Sequence, residues 1–325
     1  RRRPNGLIIE KITVPLGVIG VIYESRPDVT IDLTALALKT GNAIVLKGGK
    51  ESYYTNQAIV AAIKKALRAN GLSPELVHLV NPKDDWKKDL LGGSGLIDLL
   101  VPRGGEGLIK FVRENAKVPV IETGAGVCHI FADESCDLAK AVQIIVNSKV
   151  QMPSACNALD TLVVHKKIAA KLLPVAADAL FLYGVEIFAD PQSYRILNRH
   201  AASALLKQAR PEHFGREFLS LKMAIKTVSS FSDGLKFIKA NTSYHTESIL
   251  TADKKHANEF LKTIDAAVVM HNASLRFTDG GQFGMGAEVG ISTQKIHARG
   301  PMGIDALLSY KWVVRGEGQI RVSKE

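Results

Sequence analysis

Apolar positions recur along this chain in two periods, near 2 and near 3.6, and the switches between them outline an α/β protein. The run Val14-Pro15-Leu16-Gly17-Val18-Ile19-Gly20-Val21-Ile22-Tyr23 is almost unbroken, as expected of a strand buried on both faces. A polar loop from Glu24 to Asp28 leads to a helix predicted over residues 30–40, which Gly41 ends as a C′ residue. Residues 43–47 read as a second strand. Ile59, Ala62, Ile63, Ala66 and Leu67 then mark one face of a long helix ending near Gly71. Short apolar runs at 77–80, 97–101 and 118–121 read as further strands, with a helix over 107–116 between the last two. Strands alternating with helices predict a parallel, doubly wound sheet with right-handed crossovers.

The same rhythm continues from Glu122. Leu138, Ala141, Val142, Ile145 and Val146 are spaced for a helix burying one face. Strands are predicted at 159–165, 185–189, 218–228, 247–251 and 266–270. Helices are predicted at 167–183, interrupted at Pro174, and at 233–240 and 253–264. The tail carries Tyr310-Lys311-Trp312-Val313-Val314, a strand without a covering helix of its own, of the kind that pairs with a neighbour or another subunit.

Composition narrows the function classes. The 325 residues are 46% apolar and 23% charged, as in a globular protein with a large core. No apolar stretch is long enough for a bilayer, and the basic start lacks the apolar region of a signal peptide. Three cysteines, odd in number and without zinc-type spacing, predict a reduced, cytoplasmic protein without structural disulfides, and no metal is expected. The net charge of +10 is dispersed, and aromatics are only 6%, which disfavours a nucleic-acid platform and favours small anionic ligands.

Candidate chemistry gathers in four stretches. In Met152-Pro153-Ser154-Ala155-Cys156-Asn157-Ala158, one thiol sits among small residues between a helix and a strand. Cys156 is either a nucleophile, which needs an electropositive or amide-lined setting, or a space-filling core residue. Lys47-Gly48-Gly49-Lys50-Glu51-Ser52 closes a strand and enters a helix, the place where doubly wound sheets take anions. Gly92-Gly93-Ser94-Gly95 precedes a strand instead and reads as a flexible loop. Glu122, at the end of a buried strand, reads first as an anchor of its turn and second as a general base. Cys128 and His129 read as core, and Cys136, flanked by Glu134 and Asp137, as inert. Five glycines between 280 and 290 lie among Arg276, Lys295, His297 and Arg299, donors suited to a phosphate and a carboxylate.

Several stretches together resemble the gamma-glutamyl phosphate reductase family of the aldehyde dehydrogenase superfamily. They are VPLGVIGVIYESRPD, TGNAIVLKGGKE, LVPRGG, ETGAGVCHIF, PSACNALDTLVVH, HTESILT, NASLRFTDGGQFGMGAEVGISTQKIHARGPMG and KWVVRGEGQIR. The resemblance implies an aldehyde-dehydrogenase-like fold: an NADP-binding domain over 14–121, a catalytic domain over 122–304, and oligomerisation strands over 1–13 and 305–325. It implies NADPH-dependent reduction of L-glutamyl 5-phosphate through a thioester on Cys156. Glu122 resembles the superfamily's water-activating base, and Asp28 falls where relatives place an oxyanion-hole asparagine. Lys47 resembles the adenosine-ribose lysine, with Gly48 and Gly49 beside it. Lys50 suits the 2′-phosphate of NADPH, and Glu217 matches the nicotinamide-ribose carboxylate. Arg276, Lys295, His297 and Arg299 fall in the substrate block. A homo-oligomer and a glutamate 5-kinase partner are also implied, as is a helical segment ahead of the first residue here.

Overall fold

The computed structural model describes residues 1–93, 95–200 and 203–321. Contacts divide the chain into two units: residues 1–122 with 287–289 and 302 onward, and residues 123–286 with 290–301.

In the first unit the apolar run at 14–23 is two strands, where the pattern predicts one. β1 (Ile8–Pro15) ends at the turn through Gly17, whose φ of +129° only glycine adopts freely. A Cβ there would overlap the Asp98 carboxylate, which instead accepts from Val18 N–H at 2.8 Å. β2 (Val18–Tyr23) then enters a four-stranded parallel sheet with β3 (Ala43–Lys47), β4 (Val77–Leu79) and β5 (Leu99–Arg103), in the order β4-β3-β2-β5. Residues 118–121, expected as a strand, form only an isolated parallel bridge between Val120 and Leu100. Pro119 is part of that segment and brings no N–H to a ladder.

Helix α1 (Pro27–Lys39) starts earlier than its pattern suggests, because Pro27 stands in its first turn with φ already set. Asp28 is therefore helical rather than in the polar loop. Past the C-terminus, Gly41 has φ +76°. The buried Asn42 accepts from Gly17 N–H at 2.8 Å and donates to Leu307 C=O at 2.8 Å, tying three segments together. α2 (Tyr53–Ala69) carries β3 to β4, and α3 (Glu106–Asn115) follows β5. Leu96 and Ile97 N–H both donate to Gly93 C=O; Ser94, part of the stretch read as a flexible loop, lies outside the described residues. β1 pairs antiparallel with the strand Leu308–Arg315, and Tyr310, Trp312 and Val314 share one face of that ribbon, all exposed.

The second unit is a seven-stranded, wholly parallel sheet. Its strands are β6 (His129–Ala132), β7 (Thr161–His165), β8 (Glu186–Ala189), β9 (Leu206–Gln208), β10 (Lys222–Val228), β11 (Thr246–Leu250) and β12 (Val268–His271). Their order is β12-β11-β6-β7-β10-β8-β9. Helices α4 (Leu138–Val150), α5 (Lys166–Phe181) and α6 (Pro191–His200) join these strands, as do α7 (Phe231–Asn241) and α8 (Lys254–Thr263). One sheet face packs Ile130, Leu162, Val164, Ile187 and Ile225 with α4, α5 and α6. The other packs Phe131, Val163, Val228 and Ile249 with α7 and α8, so alternate residues of one strand serve two cores.

Two departures from the pattern have local causes. α5 runs through Pro174 without interruption, and Ile168, Ala169, Leu172, Leu173, Ala176, Ala177 and Leu180 are buried along it. That burial outweighs the roughly 3 kcal/mol a mid-helix proline costs. The strand over 218–228 begins only at Lys222, after Leu219 takes φ +48°. None of the described helices is long and apolar enough to cross a membrane.

Candidate active site

Cys156 stands at the amino edge of the seven-stranded sheet, between the end of α4 and the start of β7. Ala155 N–H donates to Met152 C=O, and Ala158 N–H to Ala155 C=O at 3.0 Å, so Cys156 and Asn157 are the central residues of a tight turn. Gly126 packs directly beneath. A Cβ at 126 would overlap the Cys156 carbonyl oxygen and lie 2.6 Å from its carbonyl carbon and 2.9 Å from its Cα. The Gly126 N–H donates to Glu217 Oε1 at 2.9 Å, so Glu217 is brought to the same turn across a long span of sequence.

Asp160 braces this arrangement from below. Its two oxygens accept from Cys128 N–H at 3.3 Å and Phe218 N–H at 2.9 Å, fixing the segments that carry Gly126 and Glu217. Lys149, fully buried, donates to Leu159 C=O at 2.8 Å. Burial draws its ammonium down to about 8, against the pull of Asp160; burial likewise pushes Asp160 up to about 7, and Lys149 opposes that. Asp160 acts on Cys128 and Phe218, both distant along the chain, so no local pattern in the sequence marks it.

Of the four substrate candidates, Arg276 belongs to the Cys156 turn. Its Nε donates to Gln151 Oε1 at 2.7 Å and an Nη approaches Met152 Sδ at 3.7 Å. Burial lowers its guanidinium from the ordinary value, opposed first by Cys156 and then by Asp279. Lys295 and Arg299 are grouped by a carboxylate the sequence reading did not include: Asp265 pairs with Lys295 at 2.6 Å and with Arg299 Nη1 at 2.8 Å. Two of the four candidate donors are thus already paired with a carboxylate. Arg299 Nε and Nη2 nonetheless remain buried without a protein partner. His297 lies in the same loop, between the two. Gly284 and Gly286 take φ of +75° and +77°, and the loop around them is exposed.

Cys128 and His129 are fully buried, as the core reading has it. Cys136 is half-buried, and burial, then Asp133 and Asp137, push its thiol up to about 11, which suits an inert cysteine. Among the described residues no disulfide forms and no three metal-type ligands gather.

In the first unit, Lys47 to Ser52 do close β3 and enter α2 at the carboxyl edge of the sheet. Lys47 Nζ donates to Gly48 C=O at 2.8 Å and lies 4.9 Å over the Trp86 ring. Burial lowers its ammonium, and Lys50 adds to that. At Gly48 a side chain would overlap Asn56 and come within 3.1 Å of the Tyr23 ring; at Gly49 it would meet Glu51 and Ser25. Both glycines are there for close approach rather than for an unusual φ. Lys50 is exposed. Glu122 Oε2 accepts from Arg113 at 3.4 Å, and Asp28, in the first turn of α1, forms an exposed ion pair with Arg26 at 3.3 Å.

An aldehyde dehydrogenase family model matches residues 4–182. Gamma-glutamyl phosphate reductase of Legionella pneumophila is 51% identical over 318 residues, covering 98% of this chain and 76% of that protein. The reductase of Chlorobium limicola is 53% identical over 323 residues, covering 99% and 77%. The chain belongs to the gamma-glutamyl phosphate reductases. The crystal structure of the Thermotoga maritima reductase superimposes with a TM-score of 0.94 at 46% identity, over 98% of this chain and 76% of that one. An acetylating aldehyde dehydrogenase of Geobacillus thermoglucosidasius, at 18% identity and a TM-score of 0.75, shares the fold. As a gamma-glutamyl phosphate reductase the chain is an aldehyde-dehydrogenase-family oxidoreductase, and the family uses a nicotinamide cofactor.

Proposed function

We propose that this chain reduces L-glutamyl 5-phosphate to L-glutamate 5-semialdehyde and phosphate with NADPH, in proline biosynthesis. The observation that carries the mechanism is the Cys156 turn, seated on Gly126 with Arg276 acting on the thiol. The Cys156 thiolate attacks the acyl carbon; the S–C bond forms and the C–O bond to phosphate breaks, phosphate leaving with the electron pair and taking up a proton. The Cys156 backbone N–H supports the developing oxyanion. When bound, the nicotinamide supplies the hydride that converts the thioester to the aldehyde level. Cleavage of the S–C bond then releases the semialdehyde and returns the thiolate.

Arg276 serves the phosphate beside Cys156, and Arg299, with Lys295 and His297 in the same loop, serves the remaining anionic groups. Two unpartnered N–H-bearing nitrogens on Arg299 support this assignment. Glu122 has no water to activate in this reaction and acts as a positioning carboxylate with Arg113. Asp28 takes no step, since an ionised carboxylate would repel an oxyanion.

The residues of the Lys47 turn fit a dinucleotide. Two glycines leave the backbone open, two lysines supply positive charge, and α2 begins directly afterwards. Lys47 holds the adenosine ribose, Lys50 the 2′-phosphate, and Glu217 the nicotinamide ribose. Lys50→Ala is expected to raise KM for NADPH about tenfold and to leave NADH-dependent turnover within about twofold. Equal changes with both cofactors would remove the assignment.

The exposed face of Tyr310, Trp312 and Val314 supports a homo-oligomer built on the terminal ribbon. A glutamate 5-kinase is the partner that would supply so labile an acyl phosphate, and the cytoplasm is the compartment. The reaction is tested in reverse. Glutamate semialdehyde, NADP and inorganic phosphate should give NADPH absorbance that vanishes when phosphate is omitted. Equal rates with and without phosphate would reject acyl-phosphate chemistry in favour of simple aldehyde oxidation.

A further inference from the structure

Behind Cys156, buried polar groups run in a chain from its own carbonyl to its neighbour's side chain. Cys128 Sγ lies 3.4 Å from the Cys156 carbonyl oxygen, to which its S–H donates. His245 Nδ1 is 3.7 Å from Cys128 Sγ and 2.8 Å from Thr246 Oγ1. Thr246 donates to Thr278 Oγ1 at 3.0 Å, and Thr278 C=O accepts from Asn157 Nδ2 at 2.7 Å. Cys128, His245, Thr246 and Thr278 are wholly buried, and Asn157 is 3% exposed.

The protons can be placed along this chain. Thr246 gives its proton to Thr278, so its oxygen must accept from His245, which puts the imidazole proton on Nδ1. His245 is neutral, burial having drawn it down to about 4, and its Nε2 has no partner. Cys128 stays a thiol: burial, then Asp160, Glu247 and Cys156, hold it well above the usual range. A protonated thiol can donate to a carbonyl, and it adds no negative charge beside a sulfur that must ionise. Bare packing would not select two unpartnered acceptors, His245 Nε2 and Asn157 Oδ1, in one buried cluster.

We propose that Cys128 and His245 are positioning residues for the reaction, holding the Cys156–Asn157 peptide so that the reactive sulfur is presented in one orientation. This rests on the reading of Cys156 as the nucleophile. In this role the pair touches neither substrate nor cofactor. Its effect reaches the chemistry through the turn, where a shift of about 1 Å is worth about 10²-fold in rate.

The test uses the full chain. Cys128→Ala is expected to lower kcat about 10- to 100-fold, with KM for the acyl substrate and NADPH affinity within about twofold, and to slow iodoacetamide alkylation of Cys156 in parallel. Cys128→Ser, which keeps a donor to the carbonyl, should recover most of the rate, and His245→Asn, which keeps an N–H near Nδ1, should retain most of it. Should Cys128→Ala fail to fold, Cys128→Val, similar in shape and without a donor, takes its place. Folded Cys128→Ala with wild-type kcat overturns the proposal. So does a loss of kcat and NADPH affinity together that Cys128→Ser does not relieve, since that is a purely structural role. Mass spectrometry of wild-type enzyme quenched in turnover separates the premises. No acyl adduct on Cys156 overturns the nucleophile and this proposal with it, whereas an adduct with unimpaired Cys128→Ala overturns this proposal alone.

Discussion

Cys156→Ala is expected to abolish turnover, by at least ~10³-fold, while leaving NADPH binding within about twofold. Without the sulfur no thioester forms, and the remaining groups of the turn can orient an acyl phosphate but offer it no nucleophile. The Lys47 turn belongs to the other unit of the chain and keeps its own contacts. Removing one half-buried sulfur also leaves a small defect, so the thermal midpoint should move little. Turnover followed at the NADPH absorbance, with fluorescence titration of the cofactor, checks both halves. Retention of more than about a tenth of the wild-type rate would mean that chemistry proceeds without a Cys156 thioester.

Gly126→Ala should be nearly as damaging, for steric reasons alone. The new methyl would overlap the Cys156 carbonyl oxygen and crowd its carbonyl carbon and Cα, all backbone atoms with no rotamer to escape into. Either the Cys156 turn lifts or residue 126 retreats, and a retreat drags the N–H away from Glu217. A loss of about 10²-fold or more in kcat is expected, with about 1–3 kcal/mol of destabilisation from overpacking. Gly107→Ala is the control: it lies in α3 with nothing within 4 Å of the new methyl, and should be neutral or slightly stabilising. Thermal unfolding and turnover of both variants decide. A Gly126→Ala enzyme with wild-type rate and midpoint would show that the turn does not depend on this contact.

The fold was legible where burial is two-sided and local. β3 and β7 stand out as apolar runs because both faces of a parallel strand are covered. α6 and β9 leave no clear pattern in the sequence because they bury little: Ser193 and Leu197 in the helix, Leu206 in the strand. The break at Gly17 depends on Asp98, eighty residues away from Val18, and no window of sequence contains both. The site divides the same way. The Cys156 turn shows its small residues and its place between helix and strand in the sequence, which marks the thiol as a candidate while leaving the core reading open. Cys128, by contrast, is indistinguishable from any core cysteine until the fold sets it against the Cys156 carbonyl. Asp265 lies thirty residues before Lys295, in an ordinary helix-to-strand connection, and only the fold reveals that it gathers Lys295 and Arg299.

The position of Cys156 on the amino edge of its sheet carries one more implication. Helices that follow parallel strands point their positive ends toward the opposite edge, so this thiol meets the trailing end of α4, where backbone carbonyls concentrate partial negative charge. The macrodipole that activates many cysteines works against this one. Arg276 sits at that trailing end, hydrogen-bonded to Gln151, the residue that closes α4. One guanidinium therefore neutralises the helix terminus and shares its field with the sulfur. With Cys156 as the proposed nucleophile, the reactivity of the thiol is tied to how well a single helix end is capped.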